Sequence, residues 1–357
     1  MQRDDGCQLI RWGVIGCGGI ADRRTIPEGI IPARDSELIA VTSRSDATSR
    51  RIAEKYHVKR YASQDDLLRD PMVDAVYIAT PNYLHAEECI AAAEQGKHVF
   101  CEKPLALTVE GCKEVVRRCE RNHVKLQVGF MMRFHACHKE AAKMIEQGRI
   151  GRPVMGRAEL TCWYPEIKGA WRQDPKQAGG GCLMDMGIHC IDLLRTFLGE
   201  VEEVFAFTDR VTFGYPVEDT SVVNLFFDSR ACGIVDNFFD IPDDASQNRL
   251  EIYGTRGCIL ADGTIGQNST GKLRMYTQGE EKGYEASQSR ESIGVGIGEI
   301  TPAPTNIFKE EIEHFVDCIR EDKEPINSGY EAIKDQMIVM AAYESSRTGK
   351  RVKLGPR

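Results

Sequence analysis

Short apolar runs alternate with polar, helix-compatible stretches over the first third of the chain. Ile10-Arg-Trp-Gly-Val-Ile15, Leu38-Ile-Ala-Val-Thr42, Val73-Asp-Ala-Val-Tyr-Ile-Ala79, Lys97-His-Val-Phe-Cys101 and Lys125-Leu-Gln-Val-Gly-Phe130 have the pattern of strands buried on both faces. Between them lie helix-like segments: Ser45 to Tyr56, Ala86 to Gln95 stopped by Gly96, and a helix to about Asn122 capped by Thr108. This alternation predicts a parallel sheet with helices on both faces. After about Met132 the rhythm changes. One helix, roughly Ala136 to Gln147, is stopped by Gly148. Longer alternating segments then dominate: Val154 to Trp163, Val201 to Val211, Ser221 to Phe227, Gly233 to Phe239 and Leu250 to Tyr253. Few helices separate them, which predicts a mostly antiparallel sheet. Asp262 to Pro304 reads as strands with long loops, and helices Ile307 to Arg320 and Glu331 to Arg347 finish the chain. The expected organisation is a doubly wound α/β domain over residues 1–132, then an α/β domain with an open, mostly antiparallel sheet over 133–357. The last helix, 331–347, is expected to pack back on the first domain.

The length of 357 residues suits two domains. A net charge of −8 argues against a general nucleic-acid binder, whose affinity rests on cations at phosphates. No apolar run reaches the length of a membrane span, so no membrane partner is expected. The stretch Met1-Gln-Arg-Asp-Asp-Gly-Cys7 has no apolar core, so no secretion signal is expected. Thirteen cysteines cannot all pair, and none forms a C-x-x-C motif. Several, such as Cys89, Cys101, Cys232 and Cys258, fall inside apolar elements, as reduced thiols do in a cytoplasmic protein. His135-Ala-Cys137-His138 is the nearest approach to a metal cluster. Its spacing matches no common zinc module, and no metal is expected.

Three stretches carry candidate chemistry. The first strand meets Gly16-Cys17-Gly18-Gly19-Ile20-Ala21, a G-x-G-x-x-A turn that lets the backbone approach a pyrophosphate at a helix start. Pro27 and Gly29 are expected to interrupt that helix early. Phe100-Cys-Glu-Lys-Pro-Leu105 places Lys103 where a strand runs out, and ligands of doubly wound sheets bind at such ends. A lysine there delivers a positive charge or a proton; alone it would read as a solvated surface charge. In Met184-Asp-Met-Gly-Ile-His-Cys-Ile-Asp192, helical spacing puts Asp185 and His189 on one face, with Asp192 close by. A carboxylate beside an imidazole fixes its tautomer. The plainer reading is a capping aspartate and a satisfied core histidine. Three polar groups sharing a face beside Leu193, Leu194 and Phe197 favour a site.

These motifs stand in an order that resembles the glucose–fructose oxidoreductase / inositol dehydrogenase / MocA (Gfo/Idh/MocA) family. The likeness rests on Ala79-Thr-Pro-Asn-Tyr-Leu-His85, Gly96 to Leu105, Gly129-Phe-Met-Met-Arg-Phe134, Trp171-Arg172 and Gly180 to His189, and covers nearly the whole chain. The resemblance implies an N-terminal Rossmann domain, a second α/β domain whose open sheet serves oligomer contacts, and a nicotinamide cofactor. It also implies a sugar, glycoside, inositol or other polyol as substrate, and a homo-oligomer of dimer, tetramer or higher order. By the family pattern Lys103, Asp185 and His189 are the catalytic residues. Glu102 lies near the nicotinamide ribose, and Ala79, Thr80, Pro81, Asn82 and His85 border the cofactor. Trp171 and Arg172 lie between cofactor and substrate, and Asp192 matches an aspartate of varying role.

The expected cofactor is NAD or NADP. The second strand ends Thr42-Ser43-Arg44-Ser45-Asp46. Ser43 and Arg44 suit a 2′-phosphate, whereas Asp46 reaching a ribose would suit NAD. Charge leans to NADP. Phe130, Arg133, Trp163, Tyr164 and Trp171 are candidates for an aromatic, hydrogen-bonding substrate pocket, with core packing as the alternative for each aromatic. The expected reaction moves a hydride between nicotinamide and a secondary hydroxyl of a sugar, a glycoside (at its 3-position in one version) or inositol. Lys103 and His189 handle the proton. Three other classes stay open: a glycosidase working by transient NAD-dependent oxidation, a non-catalytic nucleotide-binding protein, and a metal-dependent protein using His135, Cys137 and His138.

Overall fold

A computed structural model of the protein describes residues 9–278 and 298–355. The Met1–Cys7 stretch and part of the expected Asp262 to Pro304 region lie outside the described residues. The chain divides into two compact units that interleave in sequence. The first holds Met1–Phe134, Gly169–Gly179 and Asn306–Met337; the second holds His135–Lys168, Gly180–Thr305 and Ile338–Arg357. A single division at 132/133 therefore needs correcting, because two later segments belong with the N-terminal part. The apolar face of the helix Ile307–Arg320 explains one of them. Its Ile312, Phe315 and Val316 are buried in one cluster with Trp12, Tyr77 and Phe100. The long helix Gly329–Thr348 is divided after Met337 between the two units.

The first unit is built on six parallel strands: β1 (Ile10–Ile15), β2 (Ser36–Thr42), β3 (Lys59–Arg60), β4 (Ala75–Ile78), β5 (His98–Cys101) and β6 (Leu126–Val128), in the order β3-β2-β1-β4-β5-β6. That order reverses between β1 and β4, the switch point where doubly wound sheets bind ligands. β4 is buried at every position, as expected of a strand covered on both faces. Trp12, Phe100 and Phe315 meet with ring centroids 5.8–6.4 Å apart and fix helix Ile307–Arg320 to the sheet. The helix after the glycine turn, Ala21–Ile30, is not interrupted at Pro27. It winds with i→i+5 bonds, Ile31 N donating to Ile26 O at 3.1 Å, and this wider coil tolerates Pro27's missing N–H.

The second unit carries β7 (Pro153–Thr161), β8 (Val201–Asp209), β9 (Thr220–Phe227), β10 (Cys232–Phe238), β11 (Leu250–Gly254), β12 (Gly257–Asp262), β13 (Lys272–Thr277), β14 (Gly298–Ile300) and β15 (Val352–Lys353). They form one sheet in the order β14-β13-β12-β11-β7-β10-β9-β8-β15. Pairing is antiparallel except between β7 and β10. Helix Ile188–Leu198 covers one face, its Leu194 and Leu198 packing on Gly156 of β7. The opposite face alternates charge with exposed apolar groups. Arg157 pairs with Asp236 at 2.7 Å there, and Phe205 and Phe207 are 41% and 54% exposed.

Candidate active site

The glycine turn brings backbone to backbone. Gly16 has φ +82°, and a Cβ on it would lie 2.8 Å from the Ala79 carbonyl and the Thr80 methyl. The turn is held from the other side as Gly16 N and Cys17 N donate to Thr42 O at 3.0 and 3.3 Å. The C-terminal ends of β1, β2 and β4 thus close on one another around Gly16, Cys17, Gly18, Gly19 and Ile20. This geometry fits a dinucleotide pyrophosphate. At the end of β2, Ser45 caps helix Asp46–Tyr56. Asp46 is engaged by Arg50 at 2.7 Å and by Arg60. Arg44 is exposed and donates to the Tyr83 hydroxyl at 3.1 Å.

Around the ends of β4 and β5, three distant stretches of sequence meet within the first unit. His85 is 1% exposed, with Nδ1 2.7 Å from Pro104 O and Nε2 2.8 Å from Thr80 O. It links the Thr80-Pro81-Asn82 loop to the chain just after Lys103. The Lys103–Pro104 peptide is cis. Asn82 Nδ2 donates to Ala178 O at 2.9 Å, which ties the same loop to the segment carrying Trp171 and Arg172. The Arg172 guanidinium stacks on the Trp171 ring at 4.3 Å. Glu102 accepts a 2.5 Å bond from Tyr77, whose hydroxyl also lies 2.8 Å from Thr25 Oγ1. Burial raises Glu102's pKa, and the Tyr77 bond and Lys103's charge oppose the rise. Burial and the Glu102 charge push the Tyr77 phenol well above its usual value, so it stays a donor. Glu88, 6% exposed, accepts from Thr80 Oγ1 at 2.5 Å, and burial pushes its pKa up to about 7.

In the second unit, the stretch that the sequence reads as one regular helix begins as an i→i+5 turn, Leu183–Gly187, before helix Ile188–Leu198. Such turns recur at functional sites. Asp185 lies in the wide turn, half-buried; His189 and Asp192 follow on the helix, 5% and 1% exposed. The turn is fastened from below. A Cβ on Gly181 would collide with the Glu218 carbonyl, which accepts from Cys182 N at 3.0 Å. Glu218 Oε1 accepts from Leu183 N at 3.1 Å and from the Tyr343 hydroxyl at 2.7 Å. Asn237 of β10 lies against Gly187, so the helix starts at the end of the sheet where β7 runs out towards Trp163 and Tyr164. At that end Trp163 meets Phe213 edge-on at 5.2 Å, and Phe213 stacks on Tyr215 at 5.4 Å. Asp219 holds the Phe213 loop by accepting from the N–H groups of Val211, Thr212 and Phe213 at 2.8–2.9 Å. Tyr164 packs on Phe239 with centroids 5.0 Å apart.

Two predicted substrate contacts have other engagements. Phe130 is fully buried in the first unit. Arg133 donates to Ile326 O at 2.7 Å and reaches Glu331 at 3.5 Å. The His135-Ala-Cys-His138 group acts as a helix start: His135 Nδ1 accepts from Cys137 N at 3.1 Å, and His138 Nε2 lies 3.0 Å from Thr264 Oγ1. Among the described residues no group of three or more His, Cys, Asp and Glu side chains could hold a metal ion. The twelve described cysteines are all free thiols. Tyr77, Glu88, Phe213, Glu218 and Asp219 escaped the sequence reading. Each sits in a segment whose pattern announces only a strand, a helix or a loop, and their roles arise from partners far away in sequence.

A strand order of 3-2-1-4-5-6 with a glycine turn at its switch point defines a dinucleotide-binding α/β protein. Residues 10–130 match the oxidoreductase family with an NAD-binding Rossmann fold, and residues 138–285 match the GFO/IDH/MocA C-terminal domain. The chain belongs to the Gfo/Idh/MocA family of NAD(P)-dependent oxidoreductases. It is 28% identical to 1,5-anhydro-D-fructose reductase of Ensifer adhaerens over 96% of this chain and 98% of the relative. It is 30% identical to D-xylose 1-dehydrogenase (NADP(+)) 2 of Haloferax volcanii over 96% and 99%. The crystal structure of an aldose-aldose oxidoreductase from Caulobacter crescentus, complexed with glycerol, superposes with a TM-score of 0.86 at 29% identity, covering 97% of this chain and all of that one. No helix among the described residues is long and apolar enough to cross a membrane.

Proposed function

We propose that the protein is an NADP-preferring dehydrogenase that oxidises a secondary ring hydroxyl of a pyranose or glycoside, or runs the same step backwards on a keto-sugar. The observation that carries this reading is the meeting, within the first unit, of the Lys103 loop, Thr80-Pro81-Asn82 and Trp171-Arg172 at the ends of β4 and β5. The nicotinamide, when bound, supplies the hydride acceptor. Gly16 to Ile20 hold the pyrophosphate, and Glu102, kept in place by Tyr77, stands for the nicotinamide ribose. The Lys103 ammonium donates a hydrogen bond to the reacting oxygen and stabilises charge as the proton leaves. A neutral imidazole at His189 accepts that proton, and Asp185 orients the ring. Loss of the hydroxyl proton to His189 and of a hydride from the carbon that bears that oxygen leaves a ketone. Trp163 and Phe213 offer aromatic surface to a sugar's C–H face.

The NADP preference rests on the end of β2. Asp46 is committed to Arg50 and Arg60, which leaves Ser43 and the exposed Arg44 as groups suited to a 2′-phosphate. The half-exposed sheet face around Phe205 and Phe207 suits a homo-oligomer contact. A panel of sugars and glycosides offered with NAD and with NADP, read by cofactor absorbance, tests the reading. Turnover of a pyranose or glycoside with NADP supports it, and cofactor reduction by no member of the panel counts against it.

A further inference from the structure

His85 lies one helical turn inside Asn82–Glu94 and does not contact solvent. Both of its ring nitrogens face backbone carbonyl oxygens, of Pro104 at 2.7 Å and of Thr80 at 2.8 Å. A neutral imidazole has one N–H, so only the imidazolium can donate to both oxygens. Burial pushes this histidine's pKa down; the contacts with the Pro104 and Thr80 carbonyls oppose that fall, and the charges of Lys103 and Arg172 add to it. A neutral ring donates to one of these carbonyls and turns a lone pair to the other, and the Pro104 contact at Nδ1 is the shorter of the two. The Pro104 carbonyl belongs to the residue directly after Lys103. A change at His85 Nδ1 is thus a change in where the Lys103 backbone is held.

We propose that His85 is a positioning residue: through Nδ1 and the Pro104 carbonyl it fixes the backbone that carries Lys103 relative to the Thr80-Pro81-Asn82 loop. This inference rests on Lys103 acting in the reaction. It adds to the cofactor-bordering role expected from the sequence, because both ring nitrogens face backbone carbonyls.

Two substitutions separate the two halves of the contact. His85→Asn can place its amide nitrogen near the position of Nδ1, whereas His85→Gln can place it near Nε2. His85→Asn is expected to keep kcat within about fivefold of wild type, while His85→Gln lowers kcat by about 30-fold, the scale of a displaced catalytic group. Both are expected to keep KM for the sugar and Kd for NADP within about threefold, on the scale of a lost neutral hydrogen bond or less. Circular dichroism and thermal unfolding confirm that the variants are folded. Equal losses of kcat in both, or no loss in either, would overturn the proposal. Combining His85→Gln with Lys103→Met distinguishes this inference from the reading beneath it. No further loss in the double variant supports the link, and independent multiplication of the two losses removes it. Near-normal turnover of Lys103→Met alone defeats the reading of Lys103 itself.

Discussion

The two units solve burial differently, and their chemistry sits accordingly. In the first, a parallel sheet is covered on both faces, and β4 is buried throughout. Polar function is confined to the strand ends, where loops meet and side chains lock onto backbone: His85 on Pro104 and Thr80, Asn82 on Ala178. In the second, one face of a wide mixed sheet is covered by a buried helix, and the other alternates charge with exposed aromatics. Its candidate residues start that covering helix, and their support is a carboxylate, Glu218, placed below the wide turn. The difference teaches where each unit tolerates change: the first at its sheet's outer ends, the second across an entire face.

The comparison is broken first by cutting into the doubly covered core. Trp12→Ala should cost about 3–5 kcal/mol in urea unfolding, since Trp12 is fully buried between Phe100 and Phe315. A loss under about 1 kcal/mol would show that this core does not carry the unit's stability. Glu88→Gln is expected to stabilise by about 2–3 kcal/mol at pH 8 and by nothing at pH 4. Burial raises the Glu88 pKa from 4.5 to about 7, so the folded state binds its proton more tightly than the unfolded state. That penalty is absent below the unfolded value, grows as pH rises, and levels off above the folded value. Glutamine removes it and keeps an acceptor for Thr80; a pH-independent difference between the two proteins would contradict this account. Arg44→Ala should weaken NADP binding by about 10- to 30-fold and leave NAD binding within about twofold, the scale of one charge-assisted bond. Calorimetric titration with each cofactor checks it, and equal losses would point to adenine stacking. Phe207→Asp, on the open face of the second unit, should change monomer stability by less than about 0.5 kcal/mol. It should lower the mass measured by light scattering if that face joins copies of the chain.

The sequence disclosed most of the first unit. Its strands are short continuous apolar runs with turn residues between, and Thr108 caps its helix as expected, while Ser45, read as the start of a helix, is its cap. Helix Ala21–Ile30 was not legible, because an i→i+5 coil passes Pro27 where an α-helix would stop. The membership of Ile307–Arg320 in the first unit was also hidden. Its amphipathic pattern shows that a face is buried, not which sheet receives Phe315. The parallel pairing of β7 with β10 was hidden too, since period-two alternation carries no strand direction. Residue type and motif order nominate Lys103 in the first unit and Asp185 and His189 in the second as candidates. The groups that fasten their neighbours in sequence, Tyr77 on Glu102 and Glu218 on Leu183, depend on contacts across 25 and 35 residues.

The central claim is that Lys103 acts on the reacting hydroxyl rather than on the cofactor. It is tested most directly by measuring kcat and the NADP dissociation constant side by side for wild type and Lys103→Met on a turned-over sugar or glycoside. The account predicts a fall in kcat of about 100- to 1,000-fold with NADP affinity held within about threefold. Near-wild-type turnover, or a loss explained wholly by weaker NADP binding, would contradict it.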